Sequence, residues 1–149
     1  MSSHRSLAER VAAFEDDCRQ RGLALTIQRR AVFEELAERK DHPTADQVYE
    51  AVQQRLPGLS RTTVYRVLDT LVEQGFAQRV QHAAGVARFD PVTERHHHLV
   101  CDGCGRLADL DDSAVPALRL PDARGTGFRI DDYTISFRGL CKSCRATRS

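Results

Sequence analysis

The sequence predicts an α+β protein in two parts: four helices closed by a short hairpin, then a small α/β domain stapled by four cysteines. Three observations carry this. Apolar residues recur at helical spacing through the first half, short alternating runs replace them after Gly75, and two Cys-x-x-Cys pairs stand in the second half at Cys101, Cys104, Cys141 and Cys144.

Leu7, Val11, Phe14 and Cys18 mark a first helix that ends at Gly22. Thr26 is placed to cap a second, carrying Val32, Phe33, Leu36 and Ala37. Thr44 opens a third with Gln47 three residues on, the spacing of a capping box, and its apolar stripe is Ala45, Val48, Tyr49 and Val52. After the Pro57-Gly58 break, Ser60 caps a fourth helix that buries Val64, Val67, Leu68 and Leu71 and stops at Gly75. Phe76 to Val80 and Val86 to Phe89 are strand candidates around the turn His82-Ala83-Ala84-Gly85. Helices followed by such a hairpin make a winged helix-turn-helix, whose last helix reads DNA. This domain is assigned to residues 1–84, a hinge to 85–89 and a second domain to 90–149. In the second domain His98 and Val100, Leu107 and Asp109, Phe128 and Ile130, and Tyr133, Ile135 and Phe137 alternate like strands, with Asp131-Asp132 as a turn. Pro116 and Pro121 should break any helix over 113–124.

With 41% apolar and 29% charged residues the chain is globular. The sequence has no apolar run of membrane-spanning length, and its start leads into a charged helical pattern, so a cytoplasmic location is expected. There cysteine pairs are more often metal ligands than disulfides. The net charge of +1 is not that of a basic nucleic-acid binder. If DNA is the partner, folding must concentrate positive charge on one face, and a dimer must double it.

Two residues between thiolates let one tight turn present both sulfurs to one tetrahedral ion. Cys101, Cys104, Cys141 and Cys144 therefore read as a closed structural zinc site, with two disulfides as the alternative. Cys18, on an apolar stripe, reads as core. His96-His97-His98 immediately precedes the first cysteine pair. On a strand His96 and His98 share a face, which suggests a second metal site, although a solvated edge strand has the same pattern. Asp90, Asp109 and His42 are candidate partners, and mixed nitrogen and oxygen ligands suit Fe(II), Mn(II) or Zn(II). On the fourth helix Arg61, Thr62, Tyr65 and Arg66 lie opposite the apolar stripe, as base- or phosphate-contacting residues would. An ordinary solvated face is the alternative.

These features, in this order, resemble the ferric uptake regulator (Fur) family from about Gly22 to Cys144. The resemblance is carried by His42-Pro43-Thr44-Ala45, by Thr63-Val64-Tyr65-Arg66-Val67-Leu68, by His96-x-His98-x-x-Cys101-x-x-Cys104-Gly105 and by Cys141-x-x-Cys144. It implies a homodimeric repressor that binds an inverted-repeat operator in double-stranded DNA when its regulatory metal is present. It also implies that His42, Asp90, His96, His98 and Asp109 hold that metal, Fe(II) or Mn(II), beside the structural zinc. Aspartate at 90 and 109 is similar to the peroxide-responsive (PerR) branch, whereas iron-uptake regulators usually place glutamate there. That likeness implies peroxide sensing, with His42 and His96 the oxidation-sensitive ligands.

Some positions depart from the branch. Arg66 stands where it often has asparagine, and Ile27 where proline is common. Arg95 and Tyr133 replace histidines of relatives with a third metal site, so no third site is expected. A zinc-uptake regulator would show a sulfur ligand near Val86 to Asp90. Reversible iron- or zinc-uptake regulation is the alternative within the family. Outside it stand a zinc-dependent hydrolase, which needs a general base and for which Glu94 is the only nearby glutamate, and a haem-binding use of the histidine triplet.

Overall fold

The computed structural model describes residues 5–81 and 85–148 and divides into two compact units, Met1–Glu94 and Arg95–Ser149. In the first unit α1 (Leu7–Gln20), α2 (Ile27–Glu38), α3 (Ala45–Arg55) and α4 (Arg61–Glu73) precede a hairpin of β1 (Gln78–Gln81) and β2 (Ala87–Asp90). Each helix starts where a hydroxyl side chain accepts a bond from an N–H of the first turn: Ser6, Thr26, Thr44 and Ser60. Ser6 with Glu9 and Thr44 with Gln47 form full capping boxes.

Helices α1 and α4 stop at glycines with positive φ, Gly22 at 64° and Gly75 at 78°. There the N–H groups of Leu23 and Phe76 fold back onto the carbonyls of Cys18 and Leu71. The enclosed core holds Val32, Leu36, Val48, Val52, Val64, Leu68 and Leu71. Phe14 stacks on Phe33 at 4.1 Å and meets Phe76 edge-on at 4.8 Å. Truncating one such leucine to alanine costs about 2–5 kcal/mol, so the α4 stripe fixes which side of that helix faces outward. β1 and β2 pair antiparallel from Gln78↔Asp90 to Gln81↔Ala87. Ala87–Asp90 is thus a paired strand of the first unit. Of the expected turn, His82, Ala83 and Ala84 lie outside the described residues.

The second unit is built on β3 (His96–Cys101), flanked by β4 (Leu107–Asp111) antiparallel and β5 (Ser136–Gly139) parallel, and ends in α5 (Lys142–Thr147). Residues 113–124 form no α-helix. Short 3-10 turns at Asp112–Ala114 and Arg124–Thr126 bracket a stretch containing Pro116 and Pro121. The alternation at Phe128 and Ile130 forms no strand among the described residues: Arg129 pairs with Asp131 two positions on, a local contact. β5 likewise begins at Ser136, not Tyr133. Among the described residues no helix is long and apolar enough to cross a membrane.

Candidate metal centres and nucleic-acid interface

The cysteine cluster grows from two short turns. At the end of β3 the Gly105 N–H reaches back to the Cys101 carbonyl at 2.9 Å, closing the first turn, and Gly105 takes φ of 73°. Cys141 caps α5, which places Cys144 in that helix's first turn. The Asp102 N–H bonds the Gly139 carbonyl at 2.8 Å, bringing the end of β5 to the first turn. All four sulfurs then lie within 4.8 Å of one another. Cys104 Sγ and Cys141 Sγ are 3.8 Å apart. Sulfurs about 2.3 Å from a common tetrahedral ion stand about 3.8 Å apart, far beyond the roughly 2.0 Å of a disulfide.

Ionisation of the cluster fits a cation. The Cys141 N–H donates to Cys101 Sγ at 3.2 Å. That bond and the N–H groups of Cys104 and Gly103 pull the Cys101 thiol down to about 6. Hydrogen bonding with the sulfurs of Cys141, Cys101 and Cys104 pushes the Cys144 thiol up to about 12. Four neighbouring thiols cannot all ionise together unless a positive ion joins them.

In the first unit a second set of donors begins at His42. Its backbone is in the left-handed region, φ 50°, the one such non-glycine residue among those described, and it precedes a proline. Sparse backbone conformations persist where surrounding contacts enforce them. Here the Phe89 N–H bonds the Pro43 carbonyl at 2.9 Å and the Arg88 guanidinium bonds the His42 carbonyl at 3.0 Å. Strand β2 thereby holds the loop so that His42 Nε2 lies 3.2 Å from Asp90 Oδ2. The other Asp90 oxygen accepts the Val92 N–H at 2.8 Å. Both side chains are buried, at 3% and 2% exposure.

In the second unit β3 places His96 and His98 on one face, their rings 4.7 Å apart. The cross-strand partner of His98 is Asp109. Its Oδ1 lies 3.4 Å from His96 Nε2 and 3.7 Å from His98 Nε2. His97 faces the other way. Its Nδ1 accepts the Ile135 N–H at 3.1 Å, so the ring proton sits on Nε2 and is donated to Asp112 Oδ1 at 3.0 Å. Arg95 binds both oxygens of Asp112 at 3.0 Å, reaches Asp132 at 3.3 Å and covers the Tyr133 ring. The Arg95 guanidinium holds the Asp112 carboxyl below its usual range. Asp112 and Ile135, which fix this middle histidine, have no signature in the sequence.

On α4, Arg61, Thr62, Tyr65 and Arg66 are exposed, opposite the buried Val64, Val67, Leu68 and Leu71. Asp46 of α3, which sequence patterning did not single out, is bonded by both the Arg61 guanidinium and the Tyr65 hydroxyl. The Arg61 guanidinium also lies over the Tyr49 ring, 4.6 Å from its centre.

The family model described as "Ferric uptake regulator family" matches residues 20–138. The chain is 32% identical over 126 residues to the peroxide operon regulator of Bacillus subtilis (strain 168), spanning 85% of this chain and 87% of that one. It is 28% identical over 144 residues to the peroxide-responsive repressor PerR of Staphylococcus aureus (strain Mu50 / ATCC 700699), spanning 97% and 95%. Among solved structures, a zinc uptake regulator in complex with zinc and DNA has the same fold, with a TM-score of 0.72 at 24% identity over 97% of this chain and 98% of that one. The chain therefore belongs to the ferric uptake regulator family and is a metal-dependent transcriptional regulator, not an enzyme.

Proposed function

We propose that this regulator is a homodimeric, peroxide-sensing repressor, carried above all by the two aspartates, Asp90 and Asp109, that accompany three buried histidines. Cys101, Cys104, Cys141 and Cys144 would hold a structural zinc, since their sulfur spacing fits one tetrahedral ion. His42 and Asp90, with His96, His98 and Asp109, would share one Fe(II) or Mn(II). Nitrogen and carboxylate donors without sulfur suit these metals. The peroxide-responsive relatives at 32% and 28% identity support the branch.

On this reading the proposed ligands belong to two compact units, and metal binding would act as the switch. A conformer that brought both sets of donors to one ion would gain coordination energy only with metal bound, so metal would select it. Closure of a dimer would set the spacing of two α4 helices to two half-sites of double-stranded DNA. Support for the dimer comes from Leu118, Leu120, Phe128 and Phe137 in the second unit, exposed at 50%, 40%, 76% and 42%, apolar surface that a second copy would cover.

Ferrous iron bound there would supply electrons that reduce peroxide, chemistry that Mn(II) does not readily share. The expected damage is the gain of one oxygen, about 16 Da, on the peptide holding His42 or His96. Protein loaded with Fe(II) or with Mn(II) is treated with stoichiometric peroxide, then analysed by mass spectrometry and for binding to a duplex selected from a random library. The iron form should be modified and lose DNA binding irreversibly, while the manganese form keeps both. Unmodified histidines, with DNA binding restored by fresh Fe(II), would mean a reversible iron sensor instead.

A further inference from the structure

We propose that Asp46 is a positioning residue for DNA recognition: its carboxylate sets the hydrogen-bonding sense of Tyr65 and the placement of Arg61 on α4. The inference rests on the reading of α4 as the DNA-reading helix. Asp46 lies in the first turn of α3, where an acidic residue is commonly explained by the helix dipole alone. Its carboxylate instead takes two bonds from the next helix, one from the Tyr65 hydroxyl and one from the Arg61 guanidinium. The Tyr65 bond, then the Arg61 bond, hold the Asp46 carboxyl below its usual range, so it is ionised at neutral pH.

An ionised carboxylate only accepts. The single hydroxyl proton of Tyr65 is therefore committed to Asp46, and what remains for an outside partner is the oxygen's lone-pair side. A side chain that offers only an acceptor suits base edges that donate, which in the major groove are the adenine N6 and cytosine N4 amino groups. Without Asp46 the hydroxyl would turn freely and take either role. Arg61 is confined in the same way, by Asp46 on one side and the Tyr49 ring 4.6 Å away on another. Its guanidinium still has donors for phosphate, but from one fixed place. Asp46, Tyr65, Asp69 and Arg79 line one open cleft of about 600 Å³ beside the hairpin. A negative charge there also disfavours phosphate bound out of register.

The test is enrichment of duplexes from a random library by the metal-loaded full chain, comparing wild type, Asp46→Ala, Asp46→Asn and Tyr65→Phe. Zinc content and thermal melting serve as controls for folding. Asp46→Ala should lose base preference at the positions that Tyr65→Phe also loses, and no others. It should bind the wild-type-selected duplex about tenfold more weakly, and a scrambled duplex more weakly by a clearly smaller factor, because Arg61 loses its fixed place at the phosphate backbone. Asp46→Asn keeps an acceptor oxygen and should retain most of the preference. The double variant Asp46→Ala/Tyr65→Phe should lose no more than Tyr65→Phe at those positions. Asp46→Ala enriching the wild-type motif, or weakening all sequences equally, would overturn the inference while leaving DNA reading by α4 intact. A wild type that enriches no motif overturns both.

Discussion

Gly103 sits where the two cysteine turns come closest. A Cβ built there would stand 2.8 Å from Cys144 Sγ, 2.9 Å from Cys144 Cβ and 3.3 Å from a methyl of Leu140. Cys144 cannot yield without leaving the sulfur cluster, because the atom in the way is the one that would bind the ion. Gly103→Ala should therefore cost about 1–3 kcal/mol by overpacking, and the cost should fall on zinc retention. Zinc content after dialysis against a chelator, with a melting curve, checks this. The variant should release zinc faster than wild type and approach Cys144→Ser. Gly22→Ala is the contrast: φ is 64° but nothing lies within 4 Å of the added methyl. It should lose about 1–2 kcal/mol through backbone strain and keep its zinc. Equal zinc retention in Gly103→Ala and wild type would mean that the second turn can shift.

Helix α4 is the element whose two sides have separate duties. Its apolar side is locked into the core, so substitutions on the other side change surface chemistry without changing the fold. Arg66→Ala should weaken binding to a selected duplex by about 1–3 kcal/mol and relax the preferred sequence, with zinc content and dimerisation unchanged. Equal affinity of wild type and variant for selected and random duplexes would remove α4 from the interface. Such a side assignment was legible beforehand because Ser60, the 3.6-residue spacing of Val64, Val67, Leu68 and Leu71, and Gly75 are local signals. The cysteine spacing was legible for the same reason. Asp46 was not: its partners are 15 and 19 residues away on another helix, and no periodicity records such a pairing. Phe128 and Ile130 alternate like a strand, yet alternation supplies no ladder partner. α5 was missed because six residues are too few to show a helical period.

At the scale of the whole molecule, charge bears on where DNA affinity could come from. A net charge of +1 gives little general attraction for DNA, and many arginines are already paired: Arg39 with Asp41, Arg55 with Glu38, Arg79 with Asp69 and Arg95 with Asp112. If α4 reads DNA as proposed, affinity would depend on two α4 helices held at one spacing as well as on local phosphate contacts. If metal binding closes the two compact units and DNA accepts only the closed dimer, metal and DNA favour the same conformer. The coupling is then reciprocal: whatever factor bound metal adds to DNA affinity, bound DNA must add to metal affinity. The measurement uses Mn(II), which avoids oxidation, and compares Mn(II) titrations of the zinc-loaded dimer alone and with a saturating selected duplex. The Mn(II) dissociation constant should fall by about 5–150-fold, and the duplex dissociation constant should fall by the same factor between metal-free and Mn(II)-saturated protein. Arg66→Ala should lower affinity for the duplex while preserving that factor, because it alters contact with DNA without altering closure. His98→Ala should abolish the factor while leaving the weak, metal-independent affinity for DNA in place. A Mn(II) affinity indifferent to DNA would mean that the metal stabilises the fold without switching it.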